Sequence, residues 1–498
     1  MNLTIDGYHL TVADTLAVAR AATAQVGISN EAIERMNRSR ALIDRLAAGD
    51  APIYAVNTGV GLLANVRIPA GELEQLQRNV VRSHASGVGE PLARSVVRAM
   101  MLIRANTLAM GFSGIRPLVA ERLCDMVNRG VTPVVPSQGS VGASGDLAPL
   151  SHIALVLIGE GEAEFDGVVM DGGEALRRAG IEPITLAPKE GISLINGTQA
   201  MLAVACLELD ATETLVDTAD VVCALTLDGL RGTPRAFDER VHTSRPHRGQ
   251  MESARRLRRL LEGSEIRQSH IGCGRVQDAY SLRCAPQVHG AVRDAVTEAR
   301  RVFEIELNSA TDNPLVFGEE ILSGGNFHGE PLAFQLDFLA VALCALAGVS
   351  ERRLDRLVNP ALNEELPAFL AGHAGLESGL MMVQVSAASL VGENRVLAHP
   401  ASTGSITTDG NKEDFVSMGM TSAVKLQRVV RNTRAVLAME MLAAARAVDL
   451  LAPLRSSPVL ENVRSLMRRV SPPIDADRPF YRDIAAVDAL IATGAVRG

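Results

Sequence analysis

Residues 139–152 read GSVGASGDLAPLSH, a turn that runs straight into a helix. The stretch leading into it, VTPVVPSQGSVGASGDL at 131–147, is poor in helix formers and rich in Gly, Ser and Pro. From Leu147 onward, LAPLSHIALVLIGEG suits a helix. A tight Gly/Ser turn therefore meets a helix N-terminus, where partial positive charge accumulates.

The turn has a distinctive chemical possibility. If the backbone bends sharply enough, the amide nitrogen of Gly145 can attack the carbonyl carbon of Ala143. Loss of water closes a five-membered ring, and loss of a second water from the Ser144 side chain leaves an exocyclic methylidene. Ala143 is small enough for a compressed bend, Ser144 supplies the leaving hydroxyl, and Gly145 has no Cβ to obstruct its nitrogen. Gly142 adds freedom on the other side, and Asp146 is placed to assist proton transfer. Ala-Ser-Gly alone is a weak signal that reads as a flexible turn; the longer string from Gly142 to His152 is specific.

Outward from this turn, the second half of the chain is dominated by long helical patterns. Val288, Val292, Ala295, Ala299 and Val302 share one face, and Leu336, Leu339, Leu343 and Leu346 share another. Residues from about 378 to 398 and from about 418 to 450 repeat the style, and several of these exceed the usual ~8 to 20 residues. The 498 residues are 47% hydrophobic but only 3% aromatic, which favours helices packed through small side chains. At the N-terminus, LTI and YHL flank Asp6-Gly7 and predict a hairpin, and Thr11 with Asp14 predicts a capping box. Asn30 opens a helix with Ile33, Met36, Ile43 and Leu46 on one face and Gly49 as its stop. APIYAVNTGVGLLANVRIP at 51–69 has no helical period and reads as an irregular loop. The chain divides into an N-terminal region, 1–200, and a long-helix region, 201–498, with no linker between them.

Several function classes are excluded. The net charge is −8 with the signs mixed and no basic block, which argues against nucleic-acid binding. Arg352, Arg353 and Arg356 read as a solvated helix face. The six cysteines are scattered with no C-x-x-C pair, so neither a zinc site nor a disulfide framework is expected, and a reducing cytoplasm fits. The N-terminal residues lack a signal-peptide pattern, and no uncharged apolar run reaches the ~18 to 20 residues of a membrane span.

The string Gly142–His152 resembles the active-site signature of the aromatic amino acid ammonia-lyases and aminomutases, a family that carries a methylidene-imidazolone, MIO (4-methylidene-imidazole-5-one). The resemblance extends over nearly the whole chain through separated motifs. It implies that Ala143, Ser144 and Gly145 form the MIO and that no metal is needed. YAVNTGVG at 54–61 resembles the family's Tyr loop and implies Tyr54 as the base for a β-proton, in a site that stabilises tyrosinate. The usual form has Gly and Phe where this chain has Ala55 and Val60. INGTQA at 195–200 implies Asn196 beside cofactor and substrate. QDAYSLRCAPQVHG at 277–290 implies Arg283 as the carboxylate clamp, whose guanidinium fork suits that task, and Tyr280 as a catalytic neighbour. NSATDNP at 308–314 also matches, and GGNFHGEP at 324–331 implies Asn326 and Phe327 near the cofactor.

Two motifs bear on the substrate. RSHASGVGEPL at 82–92 places His84 where histidine-type members put an imidazole-contacting His; tyrosine-type members also carry one. In GNKEDFVSMG at 410–419, Glu413 matches the acidic residue that contacts the substrate imidazole, where plant-type phenylalanine enzymes have Gln. Lys412 and Phe415 depart from the histidine pattern's Gln and His, and Met381 resembles a histidine-type pocket position.

The resemblance implies a mostly α fold, a long-helix bundle of the ammonia-lyase (fumarase/aspartase-like) type, with minor β at the N-terminus and near the cofactor. It implies a cytoplasmic homotetramer with shared active sites, and elimination of ammonia from L-histidine to give trans-urocanate. The alternatives are the same elimination on L-tyrosine or a modified histidine, an MIO-dependent aminomutase, and a non-enzymatic scaffold. No nucleic-acid or membrane partner is expected.

Overall fold

The computed structural model of the protein describes residues 2–21, 23–49 and 51–498. By contact the chain divides into two units. The first takes the chain up to Leu207 with Arg300–Asp337 and Pro400–Val424; the second takes Glu208–Ala299, Phe338–His399 and Lys425–Gly498. The structure is mostly helical, and four of its boundaries fall inside long helices: Gln199–Gly229, Ala285–Glu306, Glu330–Val358 and Gly419–Asp449.

In the first unit the capping box forms as its residues dictate. Thr11 Oγ1 accepts the Asp14 N–H at 3.0 Å and the Asp14 carboxylate accepts the Thr11 N–H at 3.3 Å, opening the helix Val12–Arg20. The expected hairpin does not form. Asn2–Ile5 instead pairs in parallel with Gln25–Ile28, and the helix Val12–Arg20 lies between the two strands in sequence. The reason lies at the turn itself. Asp6 Oδ1 accepts the N–H groups of Tyr8 and His9, while Gly7 donates to Asn106 Oδ1 at 2.9 Å, so the chain turns towards the helix. The second helix, Asn30–Ala47, is capped by Ser29 and ends just before the expected stop.

The helix Arg94–Ala109 is the centre of this unit: Val96 through Ala109 are buried on every side, as an all-round buried helix requires. Its two buried arginines donate to carbonyls at helix ends. Arg98 donates to Val18 O and to Val127 O, the latter at 2.9 Å, and Arg104 to Ser193 O and Asn196 O. The sheets are small. Val88–Pro91 pairs antiparallel with Pro136–Gln138, the strand that delivers the chain to the Gly/Ser turn.

In the second unit, the leucines predicted to share a face behave so, with Leu339, Leu343 and Leu346 fully buried. On Ala285–Glu306 the buried stripe is Ala285, His289, Val292, Val296, Ala299 and Phe303, so Val288, Ala295 and Val302 lie at its edge. The solvated arginine face is corrected at one position. Arg353 is fully buried and paired with buried Glu440 through Nε at 2.6 Å and Nη2 at 2.9 Å. Glu440 also accepts hydroxyls from Thr226 at 2.7 Å and Ser350 at 2.6 Å, which meets a buried carboxylate's full demand.

One helix, Glu330–Val358, is long and apolar enough by composition to cross a membrane; half of its most apolar window is buried within the chain. All six cysteines are free thiols.

Candidate active site

The turn at 139–147 is held by contacts that only glycine permits. Gly142 and Gly145 have φ of +70° and +77°. A Cβ on Gly142 would lie 2.2 Å from Ser417 Oγ, and one on Gly145 would lie 2.1 Å from Gly197 O. Asp146 anchors the far side: its N–H donates to Gly197 O at 2.7 Å, and its carboxylate accepts the N–H groups of Ala200 at 2.5 Å and Met201 at 3.2 Å. It thus caps the N-terminus of the 31-residue helix Gln199–Gly229. Burial pushes the Asp146 carboxyl up to about 7 against the pull of those two amides. Ala143 is buried and Ser144 half-buried, its hydroxyl donating to Glu413 Oε1. A bend with no room for a side chain on either glycine fits ring closure between Ala143 and Gly145.

The Tyr loop is irregular, as its composition predicts, and is braced by its own side chains. Asn57 Oδ1 accepts the Ile53 N–H at 2.7 Å, Asn57 Nδ2 donates to Ala51 O at 2.9 Å, and Thr58 Oγ1 accepts the Ala55 N–H at 3.1 Å. Ala55 adopts φ +58°, the left-handed region that explains the usual glycine at this position. The Tyr54 hydroxyl accepts the Gly61 N–H at 3.4 Å. Burial raises the Tyr54 hydroxyl above the ordinary tyrosine range, and the charges of Asp409, Glu413 and Asp312 add to this against the Gly61 amide. Those carboxylates oppose ionisation of Tyr54, and Lys412 lines the same cavity.

Tyr54, Ser144, Asn196, Phe327 and Glu413 line one cavity of about 340 Å³, with Asp409, Lys412 and Phe415 at its wall. Glu413 is held from two directions: Thr408 Oγ1 donates to Oε2 at 2.6 Å, and Ser144 Oγ donates to Oε1 at 3.2 Å. A neighbouring cavity of about 290 Å³ shares Ala143 and Glu413 and is lined by His84. His84 Nδ1 lies 2.8 Å from Val80 O, and since a carbonyl only accepts, Nδ1 donates and Nε2 is the acceptor of the neutral ring.

Asn196 is buried, its amide nitrogen donating to Asp312 Oδ1 and Asn313 O, both at 3.2 Å. Asp312 in turn accepts from Lys189 at 3.1 Å, and both members of that pair are fully buried. Burial alone pushes the Asp312 carboxyl up, but Lys189 and Arg104 hold it below its ordinary range. This support was not found from sequence, although Asp312 lies inside NSATDNP. Nor were Thr408 and Asp409, whose only sequence signal is the turn-forming run Asp409-Gly410-Asn411.

Asn326, Tyr280 and Arg283 are not among the residues that line this cavity. Asn326 is exposed and donates to Ala310 O at 3.2 Å. Tyr280 and Arg283 belong to the second unit, on the short helix Tyr280–Arg283. Tyr280 is 72% exposed, and the Arg283 guanidinium lies 4.5 Å from its ring centroid. Among the described residues no group of three or more His, Cys, Asp and Glu is placed to hold a metal ion.

A serine in a glycine-bounded bend thus shares one cavity with a tyrosine and a carboxylate. The model of the aromatic amino acid lyase family matches residues 10–469. A histidine ammonia-lyase of Koribacter versatilis is 62% identical over 94% of this chain and 93% of its own length. Among solved structures, histidine ammonia-lyase from Trypanosoma cruzi superimposes with a TM-score of 0.92 at 43% identity, covering 100% of this chain and 94% of that one. Tyrosine aminomutase from Streptomyces globisporus gives 0.95 at 40% identity, covering 100% and 98%. The chain belongs to the aromatic amino acid lyase family.

Proposed function

We propose that this protein is a carbon–nitrogen lyase that eliminates ammonia from L-histidine to give trans-urocanate. The observation that carries the reading is the convergence of Tyr54, Ser144 and Glu413 on one cavity, with the Glu413 carboxylate 3.2 Å from Ser144 Oγ. The MIO formed from Ala143, Ser144 and Gly145 supplies an electrophilic carbon that makes the substrate nitrogen a better leaving group.

The chain's own residues do the rest. Glu413 accepts the imidazole N–H, and His84, across the shared wall, orients the ring from the other cavity. A carboxylate there has no counterpart to bind on a phenyl ring, which selects histidine. Asn196, locked by Asp312, presents its amide oxygen towards the substrate. Tyr54 takes the β-proton as the C–N bond breaks and the new double bond forms. For this it must ionise, against burial and three carboxylates. That need supports a homotetramer in which another copy lends Arg283 and Tyr280: the guanidinium clamps the substrate carboxylate and adds positive charge to that of Lys412 in the cavity of Tyr54. The six free thiols support a reducing cytoplasm as its location.

The test is absorbance in the urocanate band when the purified protein meets L-histidine, L-tyrosine or L-phenylalanine separately, with Ser144→Ala as control. A fast rise with histidine and at most a slow one with the other two, all lost in the control, is expected. A β-amino acid product instead would favour the aminomutase reading, which the likeness to the tyrosine aminomutase keeps in play.

A further inference from the structure

The tip of the Tyr loop meets the loop that carries Glu413 at one place. The Leu62 N–H donates to both carboxylate oxygens of Asp409, at 3.3 and 3.1 Å. The preceding amide, Gly61 N–H, is the one that donates to the Tyr54 hydroxyl. Two consecutive amides thus face the tyrosine and Asp409. The fit is interlocked. A Cβ on Gly61, at φ +56°, would lie 2.1 Å from Asp409 Oδ2, and one on Gly410 would lie 2.8 Å from Leu62 Cδ2. Only glycine at both positions lets the loops approach so closely.

The Asp409 side is built for the task. Asp409, Gly410 and Asn411 all have positive φ, of 45°, 56° and 71°. Non-glycine residues keep such angles only when their surroundings over-determine them. Here the Thr408 N–H donates to Glu413 O at 2.9 Å, the Lys412 N–H to Asp409 O at 3.0 Å and the Asn411 N–H to Thr408 O at 3.1 Å. Thr408 also fixes the Glu413 carboxylate. One short loop therefore holds the Glu413 carboxylate and grips the Tyr loop. Among the described residues, the tip's other backbone bonds close within the Tyr loop itself, as in Leu63 to Val60 and Gly59 to Val66. Leu62 and Leu63 are 52% and 62% exposed, so packing does little to fix the tip.

We propose that Asp409 is a positioning residue for the elimination: its carboxylate latches Leu62, sets the place of the Tyr54 hydroxyl, and ties it to the loop that orients Glu413. The proposal rests on the reading of Tyr54 as the base. It assigns Asp409 no contact with the reacting atoms. Its effect falls on kcat more than on KM, because the latch fixes the base and leaves Glu413 on its Thr408 hydrogen bond.

The experiment compares Asp409→Ala, Asp409→Asn and Gly61→Ala in the intact enzyme, with Tyr54→Phe in parallel. The readouts are steady-state kinetics on L-histidine and hydrogen exchange of the peptide spanning residues 59–66 without substrate. Asp409→Ala is expected to speed exchange of that peptide and lower kcat about tenfold, the size carried by a hydrogen bond to a charged acceptor, with KM within about twofold. Asp409→Asn keeps an acceptor for Leu62, so it restores exchange and gives a kcat no lower than wild type, because it also removes a charge that opposes Tyr54 ionisation. Gly61→Ala, with Asp409 intact, pushes the loops apart and reproduces the loss. Unchanged exchange in Asp409→Ala overturns the latch, and faster exchange with unchanged kcat overturns its service to the base. Wild-type turnover by Tyr54→Phe overturns the reading of Tyr54, and the exchange result then still decides whether the latch exists.

Discussion

Glu413→Gln separates recognition of the substrate ring from the rest of the reaction. Glu413 has one oxygen bound by Thr408 Oγ1 at 2.6 Å and the other 3.2 Å from Ser144 Oγ, at the cavity proposed to receive the substrate. Glutamine has the same length and keeps one oxygen, and the Thr408 hydroxyl can rotate to suit either amide end. What is lost is the charge facing the imidazole. A hydrogen bond to a charged group contributes about 1.5–3 kcal/mol net and a neutral one about 0.5–1.5, so the difference is about 1–1.5 kcal/mol. That is about tenfold in kcat/KM for L-histidine. L-phenylalanine offers no ring N–H, so its slow elimination should change by less than about twofold, since no hydrogen bond to it is lost. The assay follows urocanate and cinnamate by absorbance at one pH for both enzymes. Equal losses for the two substrates would show that Glu413 serves the general architecture, and no loss with histidine would remove it from ring recognition; either result refutes the argument.

Three further outcomes follow from particular contacts. Gly145→Ala places a methyl 2.1 Å from Gly197 O at φ +77°, so the bend should open; the cofactor's near-ultraviolet absorbance and all turnover should disappear, and intact absorbance would contradict the compressed-turn argument. Asp228, buried against the hydroxyls of Ser456 at 2.5 Å and Ser264 at 3.0 Å, is raised by burial to about 6. The folded state then holds that proton more tightly than the unfolded chain, so its contribution is fully present below about pH 4 and is lost as pH rises towards 6, by ~3 kcal/mol. The stability of wild type relative to Asp228→Asn should therefore fall across that window in unfolding measurements, and a pH-independent difference would refute it. Glu440→Gln leaves the fully buried Arg353 charge uncompensated and should cost about 3–5 kcal/mol, seen as a lowered Tm, while adding Arg353→Met should recover much of the loss.

What the sequence made legible, and what it hid, divides along one physical line. Helical periodicity is local, and Leu339, Leu343 and Leu346 were readable because each repeats within a turn or two of the next. The same pattern drifted on Ala285–Glu306, because the buried stripe includes His289, which no hydrophobic count admits. His289 is buried there because its ring bonds Asp220 at 2.8 Å, 69 positions away. Arg353 looked solvated for the same reason: its partner Glu440 is 87 positions distant. The hairpin at Asp6-Gly7 failed because a turn signal is local, while the choice of strand partner was not. At the site, the residues expected to touch the substrate were named from motifs. Those that hold them were not: Lys189 supports Asp312 across 123 positions, and Leu62 meets Asp409 across 347. A contacting residue carries its chemistry in its own type, so Tyr, Glu or Asn within a motif suffices to suggest a role. A supporting residue has a role only through its partner, and a motif a few residues long does not contain that partner. The unread part of this site is therefore its support, and Asp409 is the place where that support reaches the loop of Tyr54.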